Sequence, residues 1–189
     1  MNPMAGATHS DEFLRRVEAL LAELGIAREQ FAHRPLPLLR EPAHLVLVET
    51  DAEGQTHRLI PKAAAAWHQL SAAAAQDDVR LMIVSVFRSL QQQAEIIRWK
   101  RRRGLSMEAI LRGSAPPGYS EHHTGRAIDI SSPGCPPWEE TFVHTEAYRW
   151  LSLHAGSFGF SLSFPRGNRY GYVFEPWHWY YEEVARKVI

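Results

Sequence analysis

Apolar residues recur at helical spacing near the start of the chain and in short continuous or alternating runs further on. Phe13, Leu14, Val17, Leu20, Leu21 and Leu24 form one stripe, with Ser10 before it, Asp11 and Glu12 in its first turn, and Gly25 after it. That pattern predicts a capped amphipathic helix. Residues 26–43 are a Pro-rich connection. Residues 45–48 read as a buried strand, 51–54 as its turn and 57–60 as the returning strand. Pro61 suits the first turn of a helix reaching about residue 75, with Trp67 and Leu70 in the core. Residues 81–86 predict a strongly buried strand. Ser89 is placed to cap a helix over 90–103, with Ile96, Ile97 and Trp99 on its apolar face and Gly104 at its end. A short helix follows near 107–111. Thr145 is placed to cap another, to about 155. Residues 158–162 and 170–179 read as two strands around a turn at 165–168. Short strands mixed with helices, with hairpin signals at both ends, predict an α+β fold.

Composition narrows the function classes. The 189 residues carry 21 basic and 21 acidic side chains, so no net charge points to nucleic acid or an anionic membrane. Residues 98–103 crowd Lys100 and four arginines, which reads as a solvated helix end complementing the dipole. The single cysteine, Cys135, has no intrachain partner and lies in a Gly/Pro loop. Residues 1–9 read as a disordered N-terminus and 10–189 as one domain. No signal peptide and no membrane span is evident. As written, the chain is expected in the cytoplasm. An upstream start or another export route would place it in the periplasm or wall. Oligomeric state is not encoded in any pattern.

The chemistry concentrates in residues 120–130, Ser-Glu-His-His-Thr-Gly-Arg-Ala-Ile-Asp-Ile. His122 and Asp129 stand seven positions apart with Gly125 between them, read as a turn followed by a strand. Glu175-Pro176-Trp177-His178 offers a second imidazole and a spare carboxylate. Two His and one carboxylate form a catalytic zinc set that leaves a fourth position open. His123 competes with His122 for the ligand role, and spacing alone does not choose between them. His9, His33, His44, His57 and His68 have no ligand-like neighbourhood. His144 and His154 read as structural, and Tyr119, Trp177 and Trp179 as wall or core.

The 120–130 stretch resembles the Ser-x-His-x-x-Gly-x-Ala-x-Asp signature of the zinc D-alanyl-D-alanine carboxypeptidases, the VanY-like family. Glu175 to His178 is similar to that family's Glu-x-x-His signature. Val86-Phe87-Arg88-Ser89, with Gln93 five residues beyond Arg88, is similar to its arginine segment. The three motifs occur in the family's order across residues 86–181. The resemblance implies a mostly antiparallel sheet bearing the zinc site, flanked by helices, in the manner of the DD-peptidase/hedgehog-like fold. It also implies that His122, Asp129 and His178 bind Zn²⁺ and that Glu175 is the general base. Arg88 would stabilise the oxyanion or bind substrate, with Ser120 and Gln93 as further substrate contacts. The sequence departs from the family at Tyr180 and Ser163, where relatives often carry Arg, and at His123, where Gln is frequent.

The function implied is hydrolysis of the C-terminal D-Ala of peptidoglycan peptides. An LD-carboxypeptidase or wall endopeptidase on the same scaffold is the nearest alternative. A non-catalytic wall-binding zinc module is disfavoured by the spare carboxylate Glu175, because structural zinc sites are closed by four protein ligands. A serine hydrolase is disfavoured because no Gly-x-Ser-x-Gly elbow is present.

Overall fold

The computed structural model describes residues 9–183. The stretch read as disordered, apart from His9, lies outside the described residues. Helix α1 spans His9–Leu24 and buries Val17, Leu20, Leu21 and Leu24. Strands β1 (Val46–Thr50) and β2 (Thr56–Leu59) pair as an antiparallel hairpin with an irregularity between Leu47 and Glu49. Helix α2 spans Pro61–Gln76, with Pro at its start and Trp67 and Leu70 buried. Strand β3 is Met82–Ser85. Helix α3 spans Leu90–Arg102, and the Ser89 side chain accepts from Gln92 N at its N-terminus while Gln92 answers to Ser89 N. Such a reciprocal cap satisfies two backbone donors that a helix start otherwise leaves free. Helix α4 is Met107–Arg112, β4 is Ala127–Ser131 and α5 is Glu146–His154, capped by Thr145. Strands β5 (Phe160–Leu162) and β6 (His178–Tyr181) complete the main sheet.

That sheet is antiparallel throughout in the order β3-β4-β6-β5. Its alternation sorts residues between two faces. Ile128 and Ile130 of β4 and Trp179 and Tyr181 of β6 join a core with α2 and α5 that includes Leu70, Trp150 and Leu151. A second core is helical: Val17 and Leu21 of α1, Leu90 and Ile97 of α3, Ile110 of α4 and Tyr119. Each fully buried Leu or Ile is worth about 1.5–3 kcal/mol against exposure. The functional cleft opens between α3 and the sheet face that carries Asp129 and His178.

Four readings of the sequence need correction. Residues 45–48 and 81–85 are only half-buried, while Val86 joins the core: β3 is an edge strand with Met82 43% exposed, and Leu47 is 51% exposed. Apolar continuity reports hydrophobicity, not position in the sheet. Trp99, read on the apolar face of α3, is half-exposed, and the Arg103 guanidinium lies over its ring. Residues 170–177 do not form a strand. Asn168 holds this segment by donating to Tyr172 O and accepting from Tyr172 N, so β6 begins only at His178. Strand β5 begins at Phe160, because residues 155–158 form a 3-10 turn ended by Gly159 at φ 82°.

Candidate metal centre and active-site cleft

Register assembles the centre. Asp129 of β4 pairs with Ser85 of β3 on one side and His178 of β6 on the other. Directly opposed residues share a face of the sheet, so three strands deliver one polar row. His122 comes from the 3-10 turn Glu121–Thr124, which ends at Gly125 with φ 64°. A Cβ at that glycine would lie 2.7 Å from a Leu45 methyl, so the turn requires glycine there. The turn puts His122 back over the strand it precedes.

His122, Asp129 and His178 are all buried, and one ligand atom from each lies within 4.8 Å of the others. Each ring has a fixed orientation. His122 Nδ1 donates to Val86 O at 2.5 Å, which turns Nε2 to Asp129 Oδ1 at 3.3 Å. His178 Nε2 donates to Glu121 Oε2 at 3.0 Å, and its Nδ1 meets the same Asp129 Oδ1 at 2.9 Å. Ligands about 2.0–2.1 Å from a tetrahedral zinc would lie about 3.3 Å apart, and the two spacings from Asp129 Oδ1, 3.3 Å to His122 and 2.9 Å to His178, are of that size. The second-site partners Val86 O and Glu121 are of the kind that orient metal-binding imidazoles.

Protonation follows the same geometry. Burial and the Arg88 charge push the His122 imidazole down to about 4, so its Nε2 keeps a lone pair. His178 moves the other way, up to about 10: burial opposes its charge, but the hydrogen bonds to Asp129 and Glu121 win. Asp129 is held well below the ordinary carboxylate range, against its burial, by the two histidines.

Glu175 sits outside this set. Its backbone carbonyl accepts from His178 N at 3.1 Å, closing a turn through Pro176 and Trp177. The two side chains therefore face one cleft without strand alternation separating them. Burial pushes the Glu175 carboxyl up to about 7, with Asp129 adding and His178, Arg88 and Lys100 subtracting.

Arg88 follows β3 and is fixed from several sides. Its Nη1 donates to Ser85 Oγ at 2.9 Å and lies 3.7 Å from Asp129 Oδ2. Its backbone N donates to His122 O, and its carbonyl accepts from His123 Nδ1. His123 Nε2 accepts from Gly118 N, so His123 turns away from the ligand set and clamps the arginine segment. Ser120 and Gln93 line the same cleft, both buried. Gln93 Nε2 donates to Ala115 O, while its Oε1 is buried without a partner. Sequence reasoning missed Glu121, Ser85 and Trp138, whose indole N–H reaches Asp129 Oδ2 at 3.3 Å. Glu121 sits beside a motif histidine, but only the fold brings it to His178. Lys100, read as part of a solvated helix end, instead lines the cleft and donates to Ser114 Oγ at 2.6 Å.

The cleft encloses about 820 Å³. Taken together, the antiparallel sheet, flanking helices and buried His-Asp-His cluster define an α+β protein with a peptidase-type metal centre. Residues 56–184 match the VanY family, described as D-alanyl-D-alanine carboxypeptidase, and the chain belongs to that family. It is 34% identical over 181 residues to YodJ of Bacillus subtilis (strain 168), assigned as a carboxypeptidase, covering 88% of this chain and 62% of that relative. It thus spans less than two thirds of that relative's length. The LdcB LD-carboxypeptidase structure superposes with TM-score 0.66 at 32% identity, over 77% of this chain and 71% of that one. A VanY D,D-pentapeptidase variant from a VanB-type resistance cassette, solved with Zn(II), superposes with TM-score 0.58 at 26% identity, over 80% and 88%. Among the described residues no helix is long and apolar enough to cross a membrane.

Proposed function

We propose that this chain is a zinc-dependent carboxypeptidase that removes the C-terminal D-alanine from peptidoglycan peptides. The observation that carries it is the buried His122–Asp129–His178 cluster with Glu175 beside it in one cleft. The Zn(II)-bound family structure and the donor set agree on the ion. Zinc held there supplies Lewis acidity, which acidifies water toward neutral pH and polarises a carbonyl.

The chain's own groups do the rest. Glu175, with its carboxyl near neutrality, accepts the proton of the attacking water and returns it to the leaving amine. Arg88, immobilised by Ser85 and the His123 clamp, offers forked donors to a developing oxyanion or to the substrate carboxylate. Gln93 and Ser120 lie beside it as further substrate contacts.

The test is kcat/KM of the zinc-loaded protein on matched free-acid and amide peptides ending in D-Ala-D-Ala. A carboxypeptidase must reject the amide strongly, since the buried donors that read the terminal carboxylate would lose their anionic acceptor. Equal values would replace it with an endopeptidase. The similarity to LdcB favours a second reading, in which an L-residue precedes the D-alanine. Mass analysis of a muropeptide digest decides: pentapeptides lose one alanine under the first reading, and only tetrapeptides do under the second.

A further inference from the structure

The cleft contains a hydroxyl whose proton has no acceptor. Tyr172 lines the cleft from the connection before β6 and is 9% exposed. Among the described residues its phenol OH has no hydrogen-bond partner. The ring is nonetheless held from several directions. The Arg34 guanidinium lies over it at 4.0 Å, with Nε donating to Tyr170 O and Nη1 to Leu111 O. Phe164 meets it edge-on at 4.8 Å and lies 4.7 Å from the His178 ring, so one side chain separates Tyr172 from the metal cluster. Asn168 fixes its backbone N and O, and Val173 N donates to Arg112 O. Arg34 carries donors and no acceptor, so its nearness leaves the phenol proton without a taker.

We propose that Tyr172 is a substrate-binding residue whose phenol donates to an amide carbonyl of the bound peptide. The identity of that peptide rests on the carboxypeptidase reading. A buried donor left unpaired weakens the free protein, and a ligand that brings an acceptor into the cleft recovers the loss. Burial pushes the phenol's pKa up; Arg34 opposes, and the charges of Glu175 and Glu121 add to the rise. The phenol therefore stays protonated near neutral pH and can donate. A neutral donor suits a neutral acceptor, whereas the cations lining the same cleft, Arg88, Lys100 and Arg102, suit a carboxylate. Arg88 stands at the β3 end of the Ser85–Asp129–His178 row, where it donates to Ser85. Tyr172 stands at the β6 end, beyond Phe164. The two donors therefore meet different oxygens of one peptide.

The experiment compares Tyr172→Phe with the wild type, both zinc-loaded, on peptides ending in D-Ala-D-Ala. Phe keeps the ring and its contacts with Arg34 and Phe164 but deletes the donor. The variant should lose about tenfold in kcat/KM, the scale of one hydrogen bond, through KM with kcat held. Its zinc content should not change. Without substrate it should melt no lower than the wild type, because an unpaired buried hydroxyl has been removed. A hydroxyl with a merely structural role would do the opposite and lower the melting temperature. A lower melting temperature, an unchanged kcat/KM or a loss confined to kcat therefore overturns the proposal. The same fold-loss is expected on the amidated peptide. A loss confined to the free acid means that Tyr172 reads the terminal carboxylate and overturns the carbonyl assignment. Calorimetric binding of the free-acid peptide to the zinc-loaded Glu175→Gln protein, with and without Tyr172→Phe, separates this proposal from the carboxypeptidase reading. Tyr172-dependent binding without wild-type turnover overturns the hydrolase and leaves the contact. Wild-type turnover with Tyr172-independent binding overturns the contact and leaves the hydrolase.

Discussion

The two ends of the cleft differ in how the protein treats polar atoms. At the inner end every ligand is held: His122 by Val86 O, His178 by Glu121, and Asp129 by both histidines and Trp138. Elsewhere in the cleft lining, Gln93 Oε1 on α3, Arg88 Nε just before it and Tyr172 OH in the connection before β6 are buried without hydrogen-bond partners. Leaving a buried polar group unpaired costs about 1–3 kcal/mol. The inner end is therefore organised in advance by the sheet, as a metal requires. The outer end keeps unused hydrogen-bonding capacity, as a substrate site does.

Removing Glu175, the proposed proton acceptor, breaks the comparison most severely. Glu175→Gln should keep zinc, because Glu175 is not in the ligand cluster, yet lose about 10²–10⁴ in kcat. The base must be deprotonated, so kcat/KM should fall as pH drops through about 7 or below, since a bound dication can only lower that value. Metal analysis with pH–rate profiles checks both statements, and loss of zinc in the variant would make Glu175 a ligand.

Next comes the bridge between the two ends. Arg88→Lys keeps the charge but removes the fork. A loss of about 10²–10³ in kcat identifies an oxyanion donor. A loss confined to KM identifies carboxylate binding instead.

Much of this was legible in the sequence, for definite reasons. The helices of the first half announce themselves through caps and stripes, and Ser89 and Thr145 cap where local chemistry says they should. His122, Asp129 and His178 stand out because each sits in a short motif, on the turn before β4, in the middle of β4 and at the start of β6. The register placing Asp129 between Ser85 and His178 is non-local and left no local signal. The same holds for Glu121 and Lys100, whose roles depend on chain 57 and 14 residues away. Residues 170–177 looked strand-like because aromatics favour strands, but the Asn168 side chain captures the backbone first.

The metal end carries a smaller effect. Glu121→Gln replaces the carboxylate that orients His178 and also accepts from Ser163 Oγ. Such outer partners are worth about 10–100-fold in metal affinity. The proton on His178 gives an independent check. Its folded pKa of about 10 exceeds the ordinary 6.5, so it stabilises the metal-free protein fully below pH 6.5 and progressively less up to about pH 10. The melting temperature of the metal-free protein should fall across that window. Zinc binding near neutral pH should release about one proton, read by calorimetry in buffers of different ionisation enthalpy. Zinc uptake without proton release would remove His178 from the ligand set.

The smallest effect is expected at Trp138, where the two ends meet. Its ring is 55% exposed, its backbone is in the left-handed region at φ 58°, and its indole N–H still reaches Asp129 Oδ2. A non-glycine residue held there is strained by about 1–3 kcal/mol, so surrounding contacts must hold it in place. Trp138→Phe keeps the strain and the aromatic wall but deletes the donor. One neutral-to-charged hydrogen bond on a partly exposed side chain should be worth about 2- to 10-fold in zinc affinity. Trp138→Gly deletes the donor and relieves the strain as well. It should match Phe in zinc affinity but melt no lower than the wild type. If Phe binds zinc as tightly as the wild type, the indole contributes nothing to Asp129. If Gly melts well below Phe, the ring holds the loop by packing and the strain is outweighed.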